Sequence, residues 1–84
     1  MGNYYVYIVE CSDGTFYTGY ARDVASRIEK HNLGTGAKYT RNRGPVKLKY
    51  KEPFDTISSA LKREIQIKKL TRKEKVKLIE GVKT

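Results

Sequence analysis

The sequence predicts a small α+β domain, with three strands and about three helices around one core. Three observations carry this. Two short runs rich in Tyr, Val, Ile, Thr and Phe flank Ser12-Asp13-Gly14, which is a hairpin signal. A third run, Val46 to Pro53, alternates apolar and basic side chains. Three further segments place apolar residues at helical spacing behind a capping residue: Asp23, then Asp55 or Thr56, then Thr71.

Eighty-four residues suffice for one domain, expected over residues 1–84. A chain of this length buries roughly 60–65% of its unfolded surface, which allows one core and no second. Seven tyrosines, two phenylalanines and blocks of β-branched residues argue against disorder. Eighteen basic against nine acidic side chains leave a net charge of +9. That excess attracts a polyanion, either nucleic acid or an acidic membrane surface. The single cysteine, Cys11, excludes an internal disulfide and a cysteine-based zinc site, and its place on a strand makes it a core residue. No apolar run approaches the ~18 residues of a membrane span. The start of the chain lacks the basic-then-apolar pattern of a secretion signal, so a cytoplasmic location and no membrane partner are expected.

The first strand, Asn3 to Cys11, is apolar on both parities, as a central strand covered on both faces would be. The second runs from Thr15 to Tyr20. Two turns fit between them. A two-residue Asp-Gly turn pairs Cys11 with Phe16 and sends Tyr7 and Tyr17 to opposite faces. A three-residue loop with Gly14 left-handed pairs Cys11 with Thr15, sets Tyr7 opposite Gly19 and Val9 opposite Tyr17, and puts both phenols on one side. Only the second places two phenols in one site, with space beside Tyr7 at Gly19.

Asp23 caps a helix to about Leu33, with a thin apolar stripe of Val24 and Ile28. At about 100° per residue, His31 falls near the centre of that stripe and Arg27 at its edge, so both point toward the sheet. The segment from Gly34 to Pro45 reads as a loop or irregular turn. Lys38, Arg41 and Arg43 surround Tyr39 there, as phosphate contacts with one stacked base require. In the third strand Val46, Leu48 and Tyr50 share one side. Lys47, Lys49 and Lys51 share the other and protect an edge. The next helix runs from about Ile57 to Leu70, with Ile57, Ala60, Leu61, Ile65 and Ile67 inward. Glu64 lies about 20° from Ile57 on that wheel. A carboxylate in a buried stripe needs a cation or a metal, and Lys68, Arg27 and Lys62 are the cations within reach. A last helix, Arg72 to about Glu80, turns Val76 and Ile79 inward, leaves Leu78 at the margin and stops at Gly81.

These side chains form a set suited to phosphodiester hydrolysis. One carboxylate, Glu64, suits a single Mg²⁺ or Mn²⁺ ion that keeps most of its waters. Arg27 matches a phosphate with its guanidinium fork. Tyr7 or Tyr17 would serve as base if nearby positive charge lowers its pKa, and His31 would hydrogen-bond a tyrosine or relay a proton.

Tyr5-Val6-Tyr7, nine intervening residues, and Tyr17-Thr18-Gly19 together resemble the paired motif of the GIY-YIG nucleases. Arg27 and His31 match that family's arginine and histidine four residues apart, and Glu64 its metal-binding glutamate. The segment from His31 to Pro45 resembles small bacterial stand-alone members and the catalytic subunit of structure-specific endonucleases. The resemblance implies a three-stranded antiparallel sheet flanked by helices, and divalent-metal-dependent cleavage of DNA. The basic loop and lysine-rich edge can grip backbone and nothing is built to read base edges, so an endonuclease directed by structure rather than sequence is expected. The resemblance also implies Tyr7 as general base, Tyr17 assisting, Arg27 on phosphate, His31 supporting the tyrosine and Glu64 on the metal. Three departures stand out: Tyr5 replaces the first glycine, Thr18 replaces the isoleucine, and no asparagine follows Glu64. Two alternatives remain: a non-catalytic nucleic-acid-binding module of the same fold, and a subunit that depends on a protein partner for targeting.

Overall fold

A computed structural model of the chain describes residues 2–33 and 45–81. The elements follow in the order β1 (Tyr4–Glu10), β2 (Phe16–Ala21), α1 (Val24–Asn32), β3 (Lys47–Phe54), α2 (Ile57–Lys68) and α3 (Arg72–Glu80). The three strands form one antiparallel sheet in the order β2-β1-β3, so β1 is central. Val6, Tyr7, Ile8 and Val9 are all fully buried, as expected of a strand apolar on both parities.

The two faces of β1 feed two cores. Tyr7, Val9 and Cys11 pack with Ala21, Val46 and Val24, and Ile28 of α1 closes that side. Val6 and Ile8 pack with Ala60 and Ile67 of α2, and Leu78 and Ile79 of α3 close the other. The sheet is therefore the middle of three layers.

The hairpin takes the three-residue loop. Gly14 has φ 85, the left-handed conformation that glycine adopts without steric cost, and its N–H donates to the Cys11 carbonyl at 2.9 Å. The Cys11 N–H donates to Thr15 O at 2.8 Å, and Asp13 Oδ1 accepts from both the amide (3.1 Å) and the hydroxyl (2.6 Å) of Thr15. Tyr7 then faces Gly19 and Val9 faces Tyr17. The turn is also tied to the last helix. Arg72 donates to the Gly14 carbonyl at 2.7 Å and lies 4.4 Å from the centre of the Phe16 ring.

The third strand corrects the expected alternation. Ile8 pairs with Tyr50 and Val9 with Leu48, so a bulge at Lys49 interrupts the register. Val46 joins the α1 side of the core, Tyr50 packs on the α2 side, and Leu48 is left 40% exposed. Lys51 falls opposite Tyr7, its ammonium 5.2 Å from the centre of the Tyr5 ring, while Lys49 pairs with Glu10 at 3.6 Å.

Caps set the helices. Asp23 Oδ1 accepts from Ser26 N at 3.1 Å, Thr56 rather than Asp55 caps α2, and Thr71 with Glu74 forms a capping box on α3. Gly81, at φ 69, ends α3. Two helical expectations need correction. Ile57 and Ile65 are 44% and 54% exposed, because α2 turns Ala60 and Ile67 to the sheet. On α3, Leu78 and Ile79, both partly buried, are the residues packed against the core, and Val76 is not among them.

Candidate active site

Each side chain of the site is placed by a different local cause. The register of the hairpin puts Tyr7 and Tyr17 on the α1 side of the sheet, their ring centres 6.4 Å apart. Gly19, opposite Tyr7, makes that possible. A Cβ there would lie 2.7 Å from the Tyr7 hydroxyl, 2.9 Å from its Cζ and 3.1 Å from Tyr17 Cε2. Any other residue would push the phenols out of place.

The turn of α1 brings His31 beneath them. It is 1% exposed, and its Nε2 lies 2.9 Å from the Tyr7 hydroxyl. Its ring stands edge-on to Tyr17, at 5.3 Å between centres. Arg27, one turn earlier, is exposed, and its positive charge acts on the Tyr7 phenol. Glu64 comes from α2, the helix that packs on the Val6 and Ile8 side of the sheet. It sits four residues after Ala60 and three before Ile67, within the buried stripe, and its side chain is 14% exposed. Its charge acts on both Tyr7 and Tyr17. Lys68 pairs with Glu64 at 3.6 Å, and that lysine is 53% exposed. The expected balancing cation is thus present and movable.

The electrostatics depart from expectation in one respect. Burial pushes both Tyr7 and Tyr17 above the ordinary phenol value of 10.0. The Tyr17 charge adds to the rise at Tyr7, Glu64 adds at both, and the lowering by Arg27 is smaller. Positive charge nearby therefore does not make either phenol acidic, because desolvation of the phenolate outweighs it. His31 is held below its ordinary 6.5, first by burial and then by Arg27, which keeps the imidazole neutral beside the phenol.

Among the described residues no cluster of three His, Cys, Asp or Glu side chains could cage a metal. A single carboxylate is nonetheless the donor set of Mg²⁺, which dehydrates reluctantly and is held by one or two carboxylates. Glu64 fits that requirement. It is partly exposed, its charge acts on both phenols, and it pairs with the exposed Lys68.

Thus Tyr7, Tyr17 and His31 meet on the α1 side of the sheet, and the charges of Arg27 and Glu64 act on both phenols. Lys38, Tyr39, Arg41 and Arg43 lie outside the described residues. Tyr4, Tyr20, Arg22 and Lys30 were not singled out in the sequence, yet they line a cleft with Arg27. The available signal was the position of Arg22, directly after the second strand and before the cap Asp23.

No helix among the described residues is long and apolar enough to cross a membrane. A family model described as the GIY-YIG catalytic domain matches residues 3–77. A UPF0213 protein of Staphylococcus aureus is 60% identical over 79 residues, covering 94% of this chain and 96% of its own. The solution structure of a UPF0213 protein of Bacillus halodurans is similar at 48% identity with a TM-score of 0.59, covering 92% of this chain and 82% of that one. A solution structure from E. faecalis is similar at 44% identity and 0.63, covering 96% and 90%. With this match over most of the chain, and the paired tyrosines and the histidine in contact on the sheet, the chain belongs to the GIY-YIG catalytic domain family, a family of nucleases.

Proposed function

We propose that residues 1–84 form one catalytic domain that hydrolyses phosphodiester bonds of DNA as a metal-dependent endonuclease, directed by structure rather than sequence. The observation that carries this is the hydrogen-bonded Tyr7–His31 pair, with the charges of Arg27 and Glu64 acting on the same phenol. The net charge of +9 favours a polyanionic substrate.

The guanidinium of Arg27 grips a non-bridging oxygen of the scissile phosphate. A divalent ion on Glu64 would relieve charge on the phosphoryl group and assist the leaving oxygen, in place of Lys68. Tyr7 acts as a relay rather than as a preformed phenolate. Its oxygen takes a proton from the attacking water while its own hydroxyl proton passes to Nε2 of His31. A neutral His31 with its proton on Nδ1 leaves Nε2 as an acceptor, and burial favours the neutral form. The water oxygen then bonds to phosphorus as the bond to the leaving oxygen breaks. Tyr7 is fully buried and Tyr17 is partly exposed, so Tyr17 lines the approach and orients the water.

Cleavage of plasmid and branched DNA in Mg²⁺ or Mn²⁺ tests the reading. Wild type should cleave, Glu64→Ala should be inactive, and Tyr7→Phe should lose about 10²–10⁴-fold. The Glu64–Lys68 ion pair favours a second reading, in which the glutamate is structural and the domain only binds nucleic acid. Equal traces of nicking by wild type and Glu64→Ala would select that one.

A further inference from the structure

A cleft of about 440 Å³ adjoins the candidate site, sharing Arg27 with it. Tyr4 and Tyr20 line it from the sheet, Arg22 and Lys30 from the segment around α1, and Ile57 from the start of α2. Arg22 is held there in a fixed orientation. Its Nη2 donates to the Tyr4 hydroxyl at 3.1 Å, and its guanidinium lies 5.1 Å from the centre of the Tyr4 ring. Three cations face one acid, Asp23, whose carboxylate already accepts from the Ser26 amide as the helix cap. Ile57 brings 44% of its surface to solvent at this point.

We propose that this cleft receives an unpaired nucleotide of the DNA strand being cut, next to the phosphate gripped by Arg27. The inference rests on the nuclease reading for the role of Arg27. Planar guanidinium and aromatic faces stack on bases, and cations beside them track the backbone. The volume lies within the range of about 300–1,000 Å³ common to small-ligand sites. A base inside a duplex is stacked between its neighbours and cannot enter such a cleft without being extruded. The cleft therefore selects a strand with unpaired nucleotides beside the cut, which gives structure-directed cleavage a physical basis. Arg22 supplies the stacking plane, Lys30 the adjacent phosphate contact, and Tyr4 is a positioning residue that acts through Arg22.

Binding in EDTA, followed by fluorescence anisotropy, tests this without cleavage. The probes are a fluorescein-labelled blunt duplex and the same duplex with a single-stranded thymidine overhang. Wild type should prefer the overhang. Arg22→Ala should lower overhang affinity about tenfold and blunt-duplex affinity about twofold, the first reflecting lost stacking and the second lost charge. Arg22→Lys restores the charge without the plane, so it should recover duplex binding and leave the overhang weak. Tyr4→Phe should weaken the overhang alone. Equal losses on both probes, full recovery by Arg22→Lys, or no overhang preference in wild type would overturn the proposal. The nuclease reading fails separately, by absence of metal-dependent cleavage. An overhang preference that depends on Arg22 would still support the cleft in that case.

Discussion

The two faces of β1 carry opposite chemistry on adjacent residues. Val6 and Ile8 point to α2 and α3 and meet Ala60 and Ile67, an apolar layer. Tyr7, between them, points to α1 and meets His31 and Tyr17, under the influence of the Arg27 charge. All three strand residues are fully buried, so burial does not separate them. What differs is the content of the opposing helix. A single strand thus anchors the fold on one side and the phenols and imidazole on the other, while the Glu64 charge acts on both phenols from α2.

The largest effect expected is on the chemical side. Tyr7→Phe should cut the cleavage rate by about 10²–10⁴-fold. The fold should lose only about 1–3 kcal/mol, from the His31 nitrogen left without its partner. Denaturant melts beside the rate measurement check both halves. Its neighbour Ile8→Ala should do the reverse, costing about 2–5 kcal/mol of stability while the rate per folded molecule is kept. Gly19→Ala sharpens the boundary. The added methyl would displace the Tyr7 hydroxyl from His31, and a shift of about 1 Å in a catalytic group costs on the order of 10²-fold in rate.

A smaller effect follows from pH. His31 titrates below 6.5 in the folded chain and at about 6.5 when unfolded, so the unfolded state binds more protons in that window. Stability should therefore be level above pH 6.5 and fall as pH drops toward the folded value. The rate should fall with it, as Nε2 ceases to accept a proton. At the alkaline end, Tyr7 stays neutral above its unfolded value of 10.0, and stability should be lost as pH rises toward its higher folded value. Melting curves against pH, repeated in His31→Gln, check the acid limb. The smallest effect is far from both faces: Thr71→Ala should cost about 1 kcal/mol by removing the capping box of α3, with no change in rate.

Much of the site could be read from the chain because it depends on local rules. Gly14 and the spacing around it limit the hairpin to two registers, and the phenols share a face in only one of them. Helical geometry aims His31 at the sheet and sets Glu64 in a buried stripe. The remainder depends on the folded whole. The bulge at Lys49 moves Tyr50 to the opposite core from Val46, and no residue of β3 announces it. Ile57 and Ile65 follow the helical wheel, but α2 turns Ala60 and Ile67 to the sheet and leaves the other two exposed. The phenol pKa values depend on desolvation, which outweighs the charge of Arg27 and is set by packing across three layers. Tyr4 and Arg22 are distant in sequence and meet only through the pairing of β1 with β2.

A titration with Mn²⁺, followed by side-chain NMR, tests most directly whether Glu64 shares one site with the phenols and Arg27. Paramagnetic broadening should appear first at Glu64, Tyr17 and Arg27 together, and should vanish from all three in Glu64→Ala. Broadening centred elsewhere, or unchanged in Glu64→Ala, would contradict a single site built from these groups.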